Sequence, residues 1–111
     1  MSDDDRVIEV PDNDQFVRIL ERSEDKVVIL DFYATWCGPC KSIAPVYKKL
    51  SNDHPNMVFL KIDVDECEDI CTKYDVKLMP TFIFLKNGEQ IDLLEGGVDE
   101  ELQKKVEKYA T

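Results

Sequence analysis

The stretch "KVVILDFYATWCGPCKSIAP", residues 26–45, constrains the fold more than any other part of the chain. Residues 26–34 are a near-continuous run of apolar, strand-forming side chains. Such a run reads as a strand buried on both faces, and so as a central strand with cover on either side of its sheet. It leads into Cys37-Gly38-Pro39-Cys40 and then into a helix reaching about Asn52. Ile43, Val46, Tyr47 and Leu50 share one face of that helix, and Pro45 inside it removes a backbone donor and predicts a kink.

The remaining segments fit around that strand. Arg6 to Val10 reads as a first strand, and a helix opens after Pro11 with Asp12 or Asn13 as its N-cap and Phe16, Ile19 and Leu20 on its apolar face. Residues 57–64 are a third strand, and a short helix then sets Cys67, Ile70, Cys71 and Tyr74 on one stripe. Residues 81–96 are two strands joined by Asn87-Gly88, a strong short-range hairpin signal, so this pair is antiparallel. A closing helix carries Leu102, Val106 and Tyr109 on one face. The order β-α-β-α-β-α-β-β-α predicts an α/β fold with a mixed central sheet of about five strands flanked by about four helices, a three-layer sandwich. At 111 residues, the chain is expected to be a single domain spanning 1–111.

Charge narrows the function. The formal net charge of −10 argues against nucleic acid or an anionic membrane surface as partner, since both would repel it. No apolar run approaches the length of a membrane span, and the N-terminus carries acids where a secretory signal would carry a basic region, so a cytoplasmic location is expected, with nuclear entry left open. In a reducing compartment, four cysteines point to redox chemistry, a metal or packing rather than a disulfide framework.

Cys37 follows a buried strand and opens a helix, where unpaired N–H groups and the positive end of the helix dipole stabilise a thiolate, which makes it the candidate nucleophile. Cys40, one turn further in, is the candidate resolving thiol and is expected to be the more shielded. Gly38 permits the tight turn, and Pro39 suits a first helical turn, where its missing donor costs nothing. Asp31 lies inside the apolar strand. Composition alone favours a solvated strand end for it, and the alternative is a buried carboxyl with a raised pKa.

Trp36-Cys37-Gly38-Pro39-Cys40-Lys41 resembles the active-site signature of the thioredoxin family. The likeness runs along essentially the whole chain, through "LDFYA", Pro45, "KIDVDE", "MPTF" and Gly96. It implies a thioredoxin fold and a protein-disulfide reductase working through the Cys37/Cys40 dithiol. Asp31 then becomes a buried proton acceptor for Cys40, through water. Lys61 on the neighbouring strand is open to two readings, a modulator of that acid or an ordinary surface lysine. The resemblance makes the Met79-Pro80 bond cis, sets Pro80 against the cysteine pair, and leaves the Met79 backbone to pair with an extended substrate segment. Trp36, Gly38, Pro39 and Gly96 complete the implied contact surface. Of the adjacent Gly96 and Gly97, Gly96 is taken as the family position.

The same resemblance implies no bound cofactor. NADPH is used indirectly, through the flavoprotein thioredoxin reductase, and the implied substrates are of the peroxiredoxin, methionine sulfoxide reductase or ribonucleotide reductase types. A protein disulfide isomerase domain is disfavoured by Pro39, where it would usually carry histidine, and by the expected absence of a secretory signal and retention tail; glutaredoxin is disfavoured by Gly38-Pro39 and by Trp36. A redox-gated binding partner of signalling proteins is the alternative.

Cys67 and Cys71, one helical turn apart, would have Cβ atoms about 5–6 Å apart, beyond ordinary disulfide reach. Packing on the apolar stripe is favoured, and a regulatory thiol is the second reading. A four-cysteine zinc site is disfavoured because Cys71 falls mid-helix. His54 sits in a polar loop.

Overall fold

The computed structural model describes residues 6–110. The central apolar run becomes β2 (Val27–Tyr33), with β3 (Val58–Asp63) parallel on one side and β4 (Thr81–Lys86) antiparallel on the other. β1 (Val7–Glu9) adds parallel to β3, and β5 (Glu89–Glu95) adds antiparallel to β4, giving the order β1-β3-β2-β4-β5. The β4–β5 turn places Asn87 at φ 53° and Gly88 at φ 80°, the left-handed pair that a two-residue hairpin requires.

Side-chain alternation along β2 separates two cores. Val28, Leu30 and Phe32 face α1 (Asn13–Ser23) and α3 (Glu68–Lys73), where Phe16 and Ile70 complete the layer. Ile29 faces α2 (Gly38–Asp53) and α4 (Asp99–Tyr109), among Ile43, Tyr47, Leu102 and Val106. The three-layer α/β sandwich expected from the element order is the fold observed. By the same period of two, Asp31 belongs to the α2 side of the sheet.

Local chemistry sets the element ends. Asp12 caps α1, its carboxylate accepting from the Gln15 N–H at 2.9 Å. The first strand is shorter than the sequence suggests: Arg6 and Val10 fall outside it, although the Val10 N–H still donates to the Lys61 carbonyl. The stripe of cysteines also resolves differently. α3 has only six residues, so Cys67 is its N-cap and Tyr74 its C-cap, and Cys71 is half-buried outside the cores. Tyr74 packs its ring on Phe16 and Phe32. Among the described residues, no helix is long and apolar enough to cross a membrane.

Candidate active site

The step from β2 to α2 places the first cysteine pair. Cys37 is the N-cap of α2, in extended conformation, and its Sγ accepts the Cys40 backbone N–H at 3.2 Å. A sulfur in that place takes up one of the donors that every helix start leaves unsatisfied. Pro39 occupies the first turn, as its missing N–H allows. Cys37 and Cys40 form a disulfide with Cα atoms 5.3 Å apart. The expectation that Cys40 is the more shielded does not hold in this state. Each is 6% exposed.

A second loop closes over the pair. The Met79-Pro80 peptide is cis, and the Met79 carbonyl lies 3.7 Å from Cys37 Sγ. Gly96, at φ 102°, donates its N–H to the Pro80 carbonyl at 2.9 Å. A side chain there would be strained by that backbone angle. Gly97, which the sequence did not single out, is the glycine in contact with the turn: a Cβ on it would meet the Pro39 carbonyl oxygen at 3.3 Å and Pro80 Cγ at 3.5 Å. Trp36 stands 66% exposed beside the pair. Its indole N–H donates to the Asp65 carboxylate at 3.0 Å, a partner also missed, because nothing in the spacing of two loop residues signals it.

Asp31 is buried beneath this surface. Its Oδ1 has no hydrogen-bond partner among the described residues. Burial pushes its pKa up to about 7; Lys61 pulls it down, and Glu9 pushes it further up. The solvated strand end favoured by composition is therefore not what forms. Asp31 and Cys40 line one cleft of about 550 Å³, and Glu9, Tyr33 and Lys61 line it too. Lys61 is half-exposed and pairs with Glu9 at 3.5 Å.

The second cysteine pair lies apart from this site. Cys67 and Cys71 are both free thiols. Cys67 is 1% exposed and donates to the carbonyls of Val10 at 3.4 Å and Pro11 at 3.6 Å. Burial first, and nearby acids second, push both thiols up in pKa. Among the described residues, no group of three His, Cys, Asp or Glu is placed to hold a metal ion. His54 forms the C-cap of α2, with its N–H on the Leu50 carbonyl.

A dithiol–disulfide pair at a helix start, facing a cis-proline loop over a mixed five-stranded sheet, defines a thiol–disulfide oxidoreductase. The thioredoxin family model matches residues 7–108, and the chain belongs to the thioredoxin family, whose members are protein-disulfide oxidoreductases. It is 56% identical over 96 residues to Thioredoxin-1 of Caenorhabditis elegans, covering 86% of this chain and 84% of that protein. The crystal structure of a Nicotiana alata thioredoxin superposes with a TM-score of 0.92 at 37% identity, covering 98% of this chain and 96% of the other. A chain in the crystal structure of a ferredoxin:thioredoxin reductase and thioredoxin f2 complex gives a TM-score of 0.89, also at 37% identity, with 96% of each chain covered.

Proposed function

We propose that this thiol–disulfide oxidoreductase is a general protein-disulfide reductase, working as one unit over residues 1–111 in the cytoplasm. In its reduced form, the Cys37 thiolate attacks one sulfur of a substrate disulfide. A mixed disulfide forms, and the other substrate sulfur leaves as a thiolate and takes up a proton. Cys40 then gives its proton to Asp31, through water in the cleft, and attacks Cys37 Sγ. The second substrate thiolate departs, and the Cys37–Cys40 disulfide remains, so two electrons have passed to the substrate. Asp31 is suited to this role because a carboxyl with a pKa near neutrality both accepts and returns a proton at working pH.

The observation that carries the reading is the Cys40 N–H aimed at Cys37 Sγ at the start of α2, with the Met79 carbonyl 3.7 Å away. Trp36, Gly38, Pro39, Met79, Pro80 and Gly96 then frame the substrate surface, with the Met79 backbone pairing to an extended segment by strand addition. The fold neighbour found in a reductase complex supports a reductase as one class of partner. For this chain the reductase is the NADPH-dependent flavoprotein thioredoxin reductase, and the chain binds no cofactor itself. Its substrates are disulfide-bearing proteins of the peroxiredoxin, methionine sulfoxide reductase or ribonucleotide reductase types.

The test is NADPH oxidation by thioredoxin reductase with a protein disulfide as final acceptor. Wild type turns over and Cys37→Ser does not. No turnover by folded wild type overturns the reading.

A further inference from the structure

Asp31 and Lys61 are register partners on the neighbouring parallel strands β2 and β3, and Lys61 is in turn the register partner of Glu9 on β1. An ammonium between two carboxylates has a choice of partner, and here it goes outward. Lys61 Nζ lies 3.5 Å from Glu9 Oε1 and 5.0 Å from the centroid of the Tyr33 ring. The Tyr33 hydroxyl points at both oxygens of the same Glu9 carboxylate, at 2.8 and 3.0 Å. Asp31 Oδ1, on the inner side of the cleft, is left without a hydrogen-bond partner among the described residues.

Building on the assignment of Asp31 as proton acceptor, we infer that Glu9 is a positioning residue of the redox site: its carboxylate clamps Lys61 and Tyr33 at the mouth of the cleft and keeps the ammonium from closing on Asp31. A direct Lys61–Asp31 pair would hold the carboxylate in its ionised form and weaken it as a base. The clamp leaves Asp31 free to exchange a proton with Cys40. The other titratable groups lining the cleft are Lys41, Lys48 and Tyr47 on α2. Tyr47 is committed elsewhere, its hydroxyl donating to the Ile29 and Leu60 carbonyls at 3.1 and 2.7 Å. Lys61 still lowers the Asp31 pKa and Glu9 raises it, as their charges require, so the clamp is tested by the part of the Glu9 effect that depends on Lys61.

The proposal is tested by following the Asp31 carboxyl carbon by NMR against pH, in the oxidised full-length chain. Glu9→Gln keeps an acceptor for Tyr33 but removes the charge that holds Lys61, on a half-exposed side chain of an edge strand. The Asp31 midpoint is expected to fall by about one pH unit in Glu9→Gln. In a Lys61→Met background the same substitution is expected to move it less than half as far, because no ammonium is left to release. No fall in Glu9→Gln overturns the clamp. So does a shift that keeps half or more of its size in the Lys61→Met background, since Glu9 would then act through its own charge alone. Failure of the underlying assignment is read separately: Asp31→Asn would leave the pH profile of disulfide reduction unchanged, whatever the titration of Asp31 shows.

Discussion

Two cysteine pairs begin two helices of this molecule, and their surroundings are opposite. Cys37 caps the sixteen-residue α2 and receives an N–H from Cys40, whereas Cys67 caps the six-residue α3 with no such bond and turns its thiol onto two carbonyls. A donor aimed at sulfur favours the thiolate; carbonyl acceptors favour the protonated thiol, as does the burial that raises both Cys67 and Cys71. The spacing differs as well. Three residues bring Cys37 and Cys40 into a disulfide, while four residues along α3 leave Cys67 and Cys71 apart as free thiols. Position at a helix start is therefore not enough to activate a cysteine; the direction of the neighbouring hydrogen bonds decides.

The sharpest way to break this contrast is to remove one sulfur from each pair. Cys37→Ser is expected to lower turnover with thioredoxin reductase by at least about a thousandfold, as loss of a nucleophile does. Cys71→Ser should stay within about twofold of wild type in the same assay. Next, Cys40→Ser is expected to trap covalent mixed disulfides with substrates, seen as thiol-sensitive adducts on non-reducing gels. Complexes that resist thiols would instead favour the redox-gated binding role.

Asp31 lines the same cleft as Cys40 of the first pair. Its folded pKa, about 7, lies above the ordinary carboxyl value of 3.8, so the folded state binds this proton more tightly than the unfolded chain does. The stability it contributes is complete below about pH 4 and is lost as pH rises through about 7, a difference of up to about 4 kcal/mol. Asp31→Asn should thus raise stability at pH 8 in denaturant titrations, with little change at pH 4, while slowing disulfide exchange about a hundredfold. Loss of stability at pH 8 would contradict the burial account. At the small end, Cys67→Ala is expected to cost roughly 1–2 kcal/mol through lost packing and lost thiol contacts. Cys71→Ser, half-buried, should stay within about 0.5 kcal/mol.

Much of the frame was legible because it depends on neighbours along the chain. The apolar run over residues 26–34 predicts a central strand, Asn87-Gly88 a hairpin, and Asp12 or Asn13 a cap; the strand and hairpin form, and Asp12 is the cap. What escaped depends on contacts between segments distant in sequence. The burial of Asp31 was legible only through the family resemblance, because it follows from α2 lying over that face of β2, which residue type alone cannot convey. The Glu9–Lys61 pair exists because β1 adds beside β3 and not elsewhere. The Trp36–Asp65 bond and the contacts of Gly97 with Pro39 and Pro80 join loops. Cys71 misled because a stripe at helical spacing presumes a helix long enough to bury it, and α3 ends at Lys73.

The measurement that bears most directly on the contrast is the rate of iodoacetamide alkylation of each cysteine in the fully reduced, folded protein from pH 5 to 9, resolved by peptide mass. The account predicts that Cys37 is modified first, with a rate already substantial at pH 7, while Cys71 responds only at higher pH and Cys67 reacts only on unfolding. Alkylation of Cys71 or Cys67 at a rate equal to that of Cys37 at pH 7 would contradict it.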